Sequence, residues 1–145
     1  MKALYTAEAT AEAGRAGAIR SDDGRLALDL SIPEAMGGPG GPGTNPEQIF
    51  AGGYAACFHS AMQFIAGQKG VDTQGSSVCG RVSIGPRDDG EGFALAVALT
   101  VRLPRLAQDA AEALVGEAHK VCPYSNAVRG NLDVDLTVEG RERVA

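Results

Sequence analysis

Large aromatic side chains are scarce in this sequence of 145 residues. Phe, Tyr and Trp together make up 5% of it, and Trp is absent. A chain rich in Ala and Gly but poor in aromatic residues favours close backbone packing with few large anchors. The hydrophobic fraction of 44% and the charged fraction of 21% are those of a globular protein. We therefore expect a single domain, residues 1–145, that buries a core of its own.

Clusters of basic residues and long apolar runs are also lacking. Thirteen Lys and Arg residues stand against eighteen Asp and Glu, a net charge of −5, which argues against nucleic acid or anionic membranes as partners. No apolar run approaches the roughly 20 residues that span a bilayer. The start, MKALYTAEATAEAG, resembles neither a signal peptide nor an Arg-rich transit sequence. We expect a cytosolic protein.

Cysteine is rare too, with three residues: Cys57, Cys79 and Cys122. An odd, small number of thiols in a reducing compartment does not make a structural disulfide framework. A disulfide in such a protein would instead be transient and catalytic. Cys79 falls in a predicted strand and is expected to be inert packing.

The hydrophobic pattern predicts an α+β fold with the order βββ-α-ββ-α-β. Alternating residues and turn signals favour strands, whereas the 3.6-residue period favours helices. The predicted strands are 4–13, two strands within 18–32 around a turn at 22–24, 76–86, 92–103 and 131–140, and the predicted helices are 45–68 and one from 106 that Pro123 ends or kinks. The connection over 33–46 is rich in Gly and Pro and is predicted to be a loop.

The first predicted helix is apolar almost all the way round. Thr44 or Asn45 is expected to cap it, with Pro46 at its first position and Glu47 favourably placed at the positive end of the helix dipole. A helix that is hydrophobic on every side needs cover on every side. A monomer of 145 residues with one curved sheet can hardly supply it, so we expect a homodimer. Apolar residues along the helix are expected to be core for the most part: Phe50, Tyr54, Met62, Phe64 and Ile65.

Cys57 lies in the middle of this helix, where two interpretations are open. A free cysteine often packs as a small hydrophobe. A reactive thiol would need a nearby cation, because an apolar site raises the pKa of a thiol. His59 faces nearly the opposite side of the helix, so the cation would come from elsewhere. Arg15 in the AGRAG turn is a candidate, although a turn arginine is ordinarily just solvated.

Two long segments resemble a known family. GTNPEQIFAGGYAACFHSAM (43–62) and KVCPYSNAVRGN (120–131) are similar to the OsmC/Ohr superfamily, and specifically to its organic hydroperoxide resistance (Ohr) branch. The N-terminal strands match that branch as well, so the resemblance covers almost the whole chain. One departure is the turn, which commonly reads GGR in the family and reads AGR here, with Ala13 in place of the first Gly.

The resemblance implies a thiol-dependent peroxidase with an OsmC-like fold: an antiparallel curved sheet around a buried central helix, in an intertwined homodimer. Cys57 then matches the peroxidatic cysteine and Cys122 the resolving cysteine. Arg15 matches the arginine that stabilises the thiolate, and Glu47 the carboxylate that holds that arginine. The substrates would be organic and fatty-acid hydroperoxides. No bound cofactor is implied, since a lipoylated protein would reduce the disulfide.

Two other functions deserve comparison. A metal site could use Cys57, His59, His119 and Cys122, but Cys57 and His59 point to different sides of their helix and no CxxC pair exists. A non-catalytic dimeric module could hold a lipid-like ligand in an apolar cleft. In that case Arg15 and Glu47 would be dispensable.

Overall fold

The computed structural model describes residues 1–141, which divide into two compact units, residues 1–49 and the chain from residue 50 onward. The last four residues of the predicted domain lie outside this range. Strands and helices follow the order βββ-α-ββ-αα-β, which confirms the α+β class. Within the described chain, none of the helices has the length and apolarity needed to cross a membrane.

The first unit contains an antiparallel meander of three short strands. These are β1 (Ala9–Glu12), β2 (Ala18–Ser21) and β3 (Ala27–Asp29), with β2 in the centre. The strand predicted over 4–13 is therefore shorter than expected. Leu26, Leu28 and Leu30 share one face, as the alternation predicted, and Leu30 is buried.

Helix α1 (Pro46–Lys69) begins in the first unit and continues into the second. The side chain of Asn45 accepts a hydrogen bond from the backbone N–H of Gln48 at 2.9 Å. That bond satisfies one of the free N–H groups of the first turn, which confirms Asn45 as the cap. Pro46 follows as the first helical residue, because its missing N–H would have had no partner there.

The second unit holds a mixed sheet and two further helices. Its strands are β4 (Ser77–Pro86), β5 (Phe93–Ala107) and β6 (Val134–Arg141). β4 and β5 form an antiparallel hairpin, whereas β6 pairs with β5 in parallel. The expectation of one antiparallel sheet is thus wrong for β6. Helices α2 (Gln108–Val121) and α3 (Pro123–Val128) make the crossover that a parallel pair needs.

The core of the second unit lies between one face of α1, the inward face of β5 and the apolar stripe of α2. Tyr54, Phe58 and Met62 of α1 recur every four residues and are fully buried. Phe64 is 63% exposed, so it is not core in the single chain. The apolar stripe of α2 consists of four buried residues: Ala111, Leu114, Val115 and Ala118.

One close backbone approach fixes α1 against the sheet. A Cβ atom added at Gly80 of β4 would lie 2.6 Å from the carbonyl oxygen of Ala51. No side chain fits in that space, so the strand passes directly over the helix at this point.

Candidate active site

Arg15 and Glu47 form a two-pronged ion pair in the first unit. The Nη1 and Nη2 groups of Arg15 donate to the two carboxylate oxygens of Glu47 at 2.8 and 2.7 Å. The hydrogen bond from Arg15 holds the pKa of Glu47 below its usual value, and the same bond raises the pKa of Arg15. Glu47 is therefore ionised at neutral pH, and the planar guanidinium is fixed in orientation.

The turn between β1 and β2 places Arg15 in a short 3-10 helix, Gly14–Ala16. Ala13 enters this turn with φ 55°, a left-handed conformation that favours glycine. The departure from the family's GGR pattern therefore falls at the one non-glycine residue with positive φ in the described chain. At the other end, a Cβ on Gly17 would meet the carbonyl oxygen of Glu12 at 1.8 Å, so only glycine closes the turn.

Cys57 and Cys122 meet in the second unit. The thiol of Cys122 points at the sulfur of Cys57, with the two sulfur atoms 3.8 Å apart. Cys122 is fully buried, whereas Cys57 is half-buried and so has a path to solvent. Both are free thiols. A disulfide requires an S–S distance of about 2.05 Å, so a small movement of either side chain would allow the bond.

The position of Cys122 is set by the junction between two helices. It lies between α2 and α3 with φ −62° and ψ 124°, an extended conformation. Pro123 then begins α3 at its first position. The sequence indicated a break at Pro123, and the structure adds the short helix α3 after it.

The environment of Cys57 opposes ionisation overall. Burial raises the pKa of its thiol above the usual value, and the neighbouring Cys122 thiol adds to the increase. The backbone N–H of Tyr124 acts in the other direction. In the described part of the second unit, none of the groups that shift the pKa of Cys57 is a cation.

The hydroxyl of Ser125 connects two side chains that sequence reasoning did not link. Its Oγ lies 2.8 Å from the hydroxyl of Tyr54 and 2.9 Å from Nδ1 of His119. Among the described residues, Ser125 is the one polar residue that is buried. Burial lowers the pKa of His119, which is therefore neutral at pH 7. The available signal was spacing, since His119 and Ser125 lie three residues to either side of Cys122.

The remaining candidates have ordinary surroundings. His59 is hydrogen-bonded to Ser76 at 2.9 Å, just as His119 is to Ser125. Cys79 lies in β4 but is exposed, so the prediction that it packs inside was wrong. Within residues 1–141, no three His, Cys, Asp or Glu side chains come together as a metal site would require.

A groove of about 540 Å³, with both apolar and polar residues in its lining, opens in the second unit. Phe50 of α1 lines it, two helical turns before Cys57 and on the same side of the helix. Arg87 adds a positive charge to the lining. The other apolar side chains that line it include Phe93, Leu95, Val128 and Leu132.

Comparison with known proteins places these features in a family. A family model described as OsmC-like protein matches residues 38–137. An organic hydroperoxide resistance protein of Xanthomonas axonopodis pv. citri is 49% identical over 138 residues, which cover 94% of this chain and 96% of the relative. This chain belongs to the OsmC-like family, in its organic hydroperoxide resistance branch.

Solved Ohr structures have the same fold. An organic hydroperoxide resistance protein of Legionella pneumophila superposes with a TM-score of 0.90 at 50% identity, covering 95% of this chain and 99% of that one. The Ohr protein OhrB of Bacillus subtilis gives a TM-score of 0.86 at 45% identity, covering 94% of this chain and 100% of that one. The resemblance found in the sequence is therefore confirmed, and so is the OsmC-like α+β class of the fold.

Proposed function

We propose that this protein is a cysteine-based organic hydroperoxide reductase. The Cys57 thiolate attacks the O–O bond of the hydroperoxide, one oxygen passes to sulfur, and the alkoxide leaves as an alcohol after taking a proton. Cys57 thereby becomes a sulfenic acid, the first and reversible step of thiol oxidation. The observation that carries the proposal is the 3.8 Å separation of the Cys57 and Cys122 sulfurs. The names of the similar Ohr proteins support a role in resistance to organic hydroperoxides.

In the second step, Cys122 attacks the sulfenic sulfur of Cys57. An S–S bond forms, the S–O bond breaks, and the hydroxyl leaves as water with the thiol proton. A fully buried Cys122 suits this role, since a hydroperoxide reaches the half-buried Cys57 more easily. An external dithiol, for which we propose a lipoylated protein, then returns both cysteines to thiols. The chain itself supplies no cofactor to this cycle.

Arg15 would provide the positive charge that the Cys57 thiolate needs. Its guanidinium is one-third exposed, so it retains N–H groups for a thiolate and a peroxide oxygen while Glu47 holds the other edge. Carboxylate-held arginine is a recurrent means of orienting a fixed positive charge. We assign Arg15 to stabilisation of the thiolate and Glu47 to orientation of Arg15.

The substrates would be bulky and apolar. Phe50 and its groove offer apolar surface on the Cys57 side of α1, which hydrogen peroxide could not use. An aliphatic or aryl hydroperoxide, including one derived from a fatty acid, would bury surface there and gain binding energy. We further propose that the active protein is a homodimer in the reducing cytosol, where its thiols are maintained.

Turnover of cumene hydroperoxide with dihydrolipoamide as reductant tests the proposal. Cys57→Ser should abolish turnover, because the hydroxyl of serine is not ionised at neutral pH. Cys122→Ser should permit the first oxidation and then stop, with Cys57 passing to sulfinic acid. The matched control is Cys79→Ser, which removes an exposed thiol and should leave the rate unchanged. Full turnover by Cys57→Ser would refute the mechanism.

A further inference from the structure

Three helices of the second unit are joined by one buried hydroxyl. Ser125 belongs to α3, Tyr54 to α1 and His119 to the last turn of α2, and the Ser125 hydroxyl bonds to both partners. Ser125 and Tyr54 are completely buried. Every buried side-chain nitrogen and oxygen in the described chain has a partner, so this connection contains no unsatisfied group.

The three residues of this connection lie close in sequence to the two cysteines. Tyr54 lies one turn before Cys57 on α1, and His119 and Ser125 lie on the two sides of Cys122. Cys122 itself is extended, so the helical conformation is interrupted at this junction. Arg129 adds a second link across the junction by donating to the carbonyl oxygen of His119 at 2.8 Å.

We propose that Tyr54, Ser125 and His119 form a positioning network that holds the Cys122 thiol against Cys57 and so favours disulfide formation over further oxidation. This inference rests on the proposed function. The three side chains exchange no atoms or electrons with the substrate. They act by connecting α1, which carries Cys57, to α2 and α3, which flank Cys122, and so keep the two sulfur atoms close enough for the disulfide to form.

Two reactions compete for the sulfenic acid of Cys57. In one, the Cys122 thiol displaces the hydroxyl, giving a disulfide and one water. In the other, a second hydroperoxide transfers an oxygen to the same sulfur, giving a sulfinic acid and one alcohol. The first reaction depends on how often the Cys122 sulfur is in position, whereas the second does not. Loosening the junction should therefore change the ratio of the products without changing the first oxidation.

Removal of the Ser125 hydroxyl should loosen the junction between α2 and α3. In Ser125→Ala the hydroxyl of Tyr54 and Nδ1 of His119 both lose their partner, and an unpaired buried polar group is costly. Tyr54→Phe removes the α1 link and leaves the bond between Ser125 and His119. Both substitutions delete a single oxygen and add no bulk.

A similar bond elsewhere provides the control. His59 is also on α1, two residues from Cys57, and its 2.9 Å bond to Ser76 has the same length as that between His119 and Ser125. Ser76 precedes β4 and has no link to Cys122. Ser76→Ala therefore removes a histidine–serine bond near the site while leaving the junction intact.

The test treats each reduced protein with excess cumene hydroperoxide and measures disulfide and Cys57 sulfinic acid by peptide mass spectrometry. Compared with wild type, the ratio of sulfinic acid to disulfide should rise about fivefold in Ser125→Ala and in Tyr54→Phe. It should stay unchanged in Ser76→Ala. The rate of the first oxidation should remain within about twofold of wild type in all three, since a general loss of structure would slow it.

The outcomes separate this inference from the proposed function. If the wild-type protein loses no thiols, the proposed function fails and the inference fails with it. If wild type forms the disulfide but both variants give the wild-type product ratio, the inference alone is overturned. Should Ser125→Ala not fold, the ratio in Tyr54→Phe decides.

Discussion

At the scale of single residues, the central difficulty is how Cys57 becomes a thiolate. Burial raises its pKa, and the one opposing group from its own unit is the N–H of Tyr124. A single backbone N–H stabilises an anion far less than a full positive charge does. In the proposed mechanism, ionisation of Cys57 therefore depends on Arg15, whose own pKa is raised by Glu47 and which is charged at every pH of interest.

Arg15→Ala should reduce the rate of reaction of Cys57 with cumene hydroperoxide at pH 7 by at least about tenfold. Loss of a cation disfavours the charged thiolate, so the pKa of Cys57 rises and the pH–rate profile moves to higher pH. Stopped-flow measurement across pH gives the profile. The matched control is Arg20→Ala, which removes another ion-paired arginine from the first unit, at Asp29. An unshifted profile in Arg15→Ala would contradict the role.

Four residues of the candidate site could be identified from the sequence, and one could not. Motif similarity identified Arg15, Glu47, Cys57 and Cys122, and the structure brings them together as two separate pairs; the roles given to them stay predictions. Ser125 was missed because a serine after a helix break is ordinary, and only its burial between Tyr54 and His119 gives it importance.

At the scale of elements, the contact between α1 and β4 depends on Gly80. The carbonyl oxygen of Ala51 occupies the space that any side chain would need. A glycine pair within a helix, such as Gly52-Gly53, is typical either of close approach by another backbone or of a kink. The backbone approach occurs at Ala51 instead, while Gly53 faces the side chain of Tyr124.

Gly80→Ala should lower the free energy of unfolding by about 1–3 kcal/mol, because the methyl group forces strand and helix apart. Gly85→Ala, on the same strand, provides the control, since a Cβ there meets no atom within 4 Å. Its free energy of unfolding should stay within about 0.5 kcal/mol of wild type. Urea titration of both variants measures the difference. Equal stability of the two would show that α1 and β4 are not closely packed.

Element types were predictable where the hydrophobic period was clear, as in β5 and β6, whereas α1 was recognised from its cap, its first-position proline and its long apolar run. The pairing of the strands was not predictable, because alternation indicates which face of a strand is buried and not which strand lies beside it. The parallel pairing of β6 with β5 follows from the intervening helices, and α3 was too short to be recognised by period.

At the scale of the whole molecule, large apolar side chains from several elements of the second unit stay exposed. Four large side chains from residue 50 onward are between 43% and 71% exposed: Phe64, Phe93, Val121 and Tyr124. Exposed apolar surface of this kind is typical of association between chains. We expect a second copy of this chain as the partner.

Sedimentation equilibrium should therefore give twice the mass of one chain at micromolar concentration. Phe64→Ser should shift the equilibrium towards monomer, because it removes apolar area from the exposed side of α1. Gln63→Ser, at the neighbouring exposed position, is the control and should leave the mass unchanged. A wild-type protein that sediments as a monomer at all concentrations would contradict the homodimer.

The most direct test of the central claim is one oxidation of the intact protein. Reduced protein receives one equivalent of cumene hydroperoxide, and free thiols, intact mass and the linked peptides are then measured. The account predicts the loss of two thiols and of about 2 Da, the mass of two hydrogens, with Cys57 linked to Cys122. A protein that keeps its thiols reduced, or that links Cys79 instead, would contradict it.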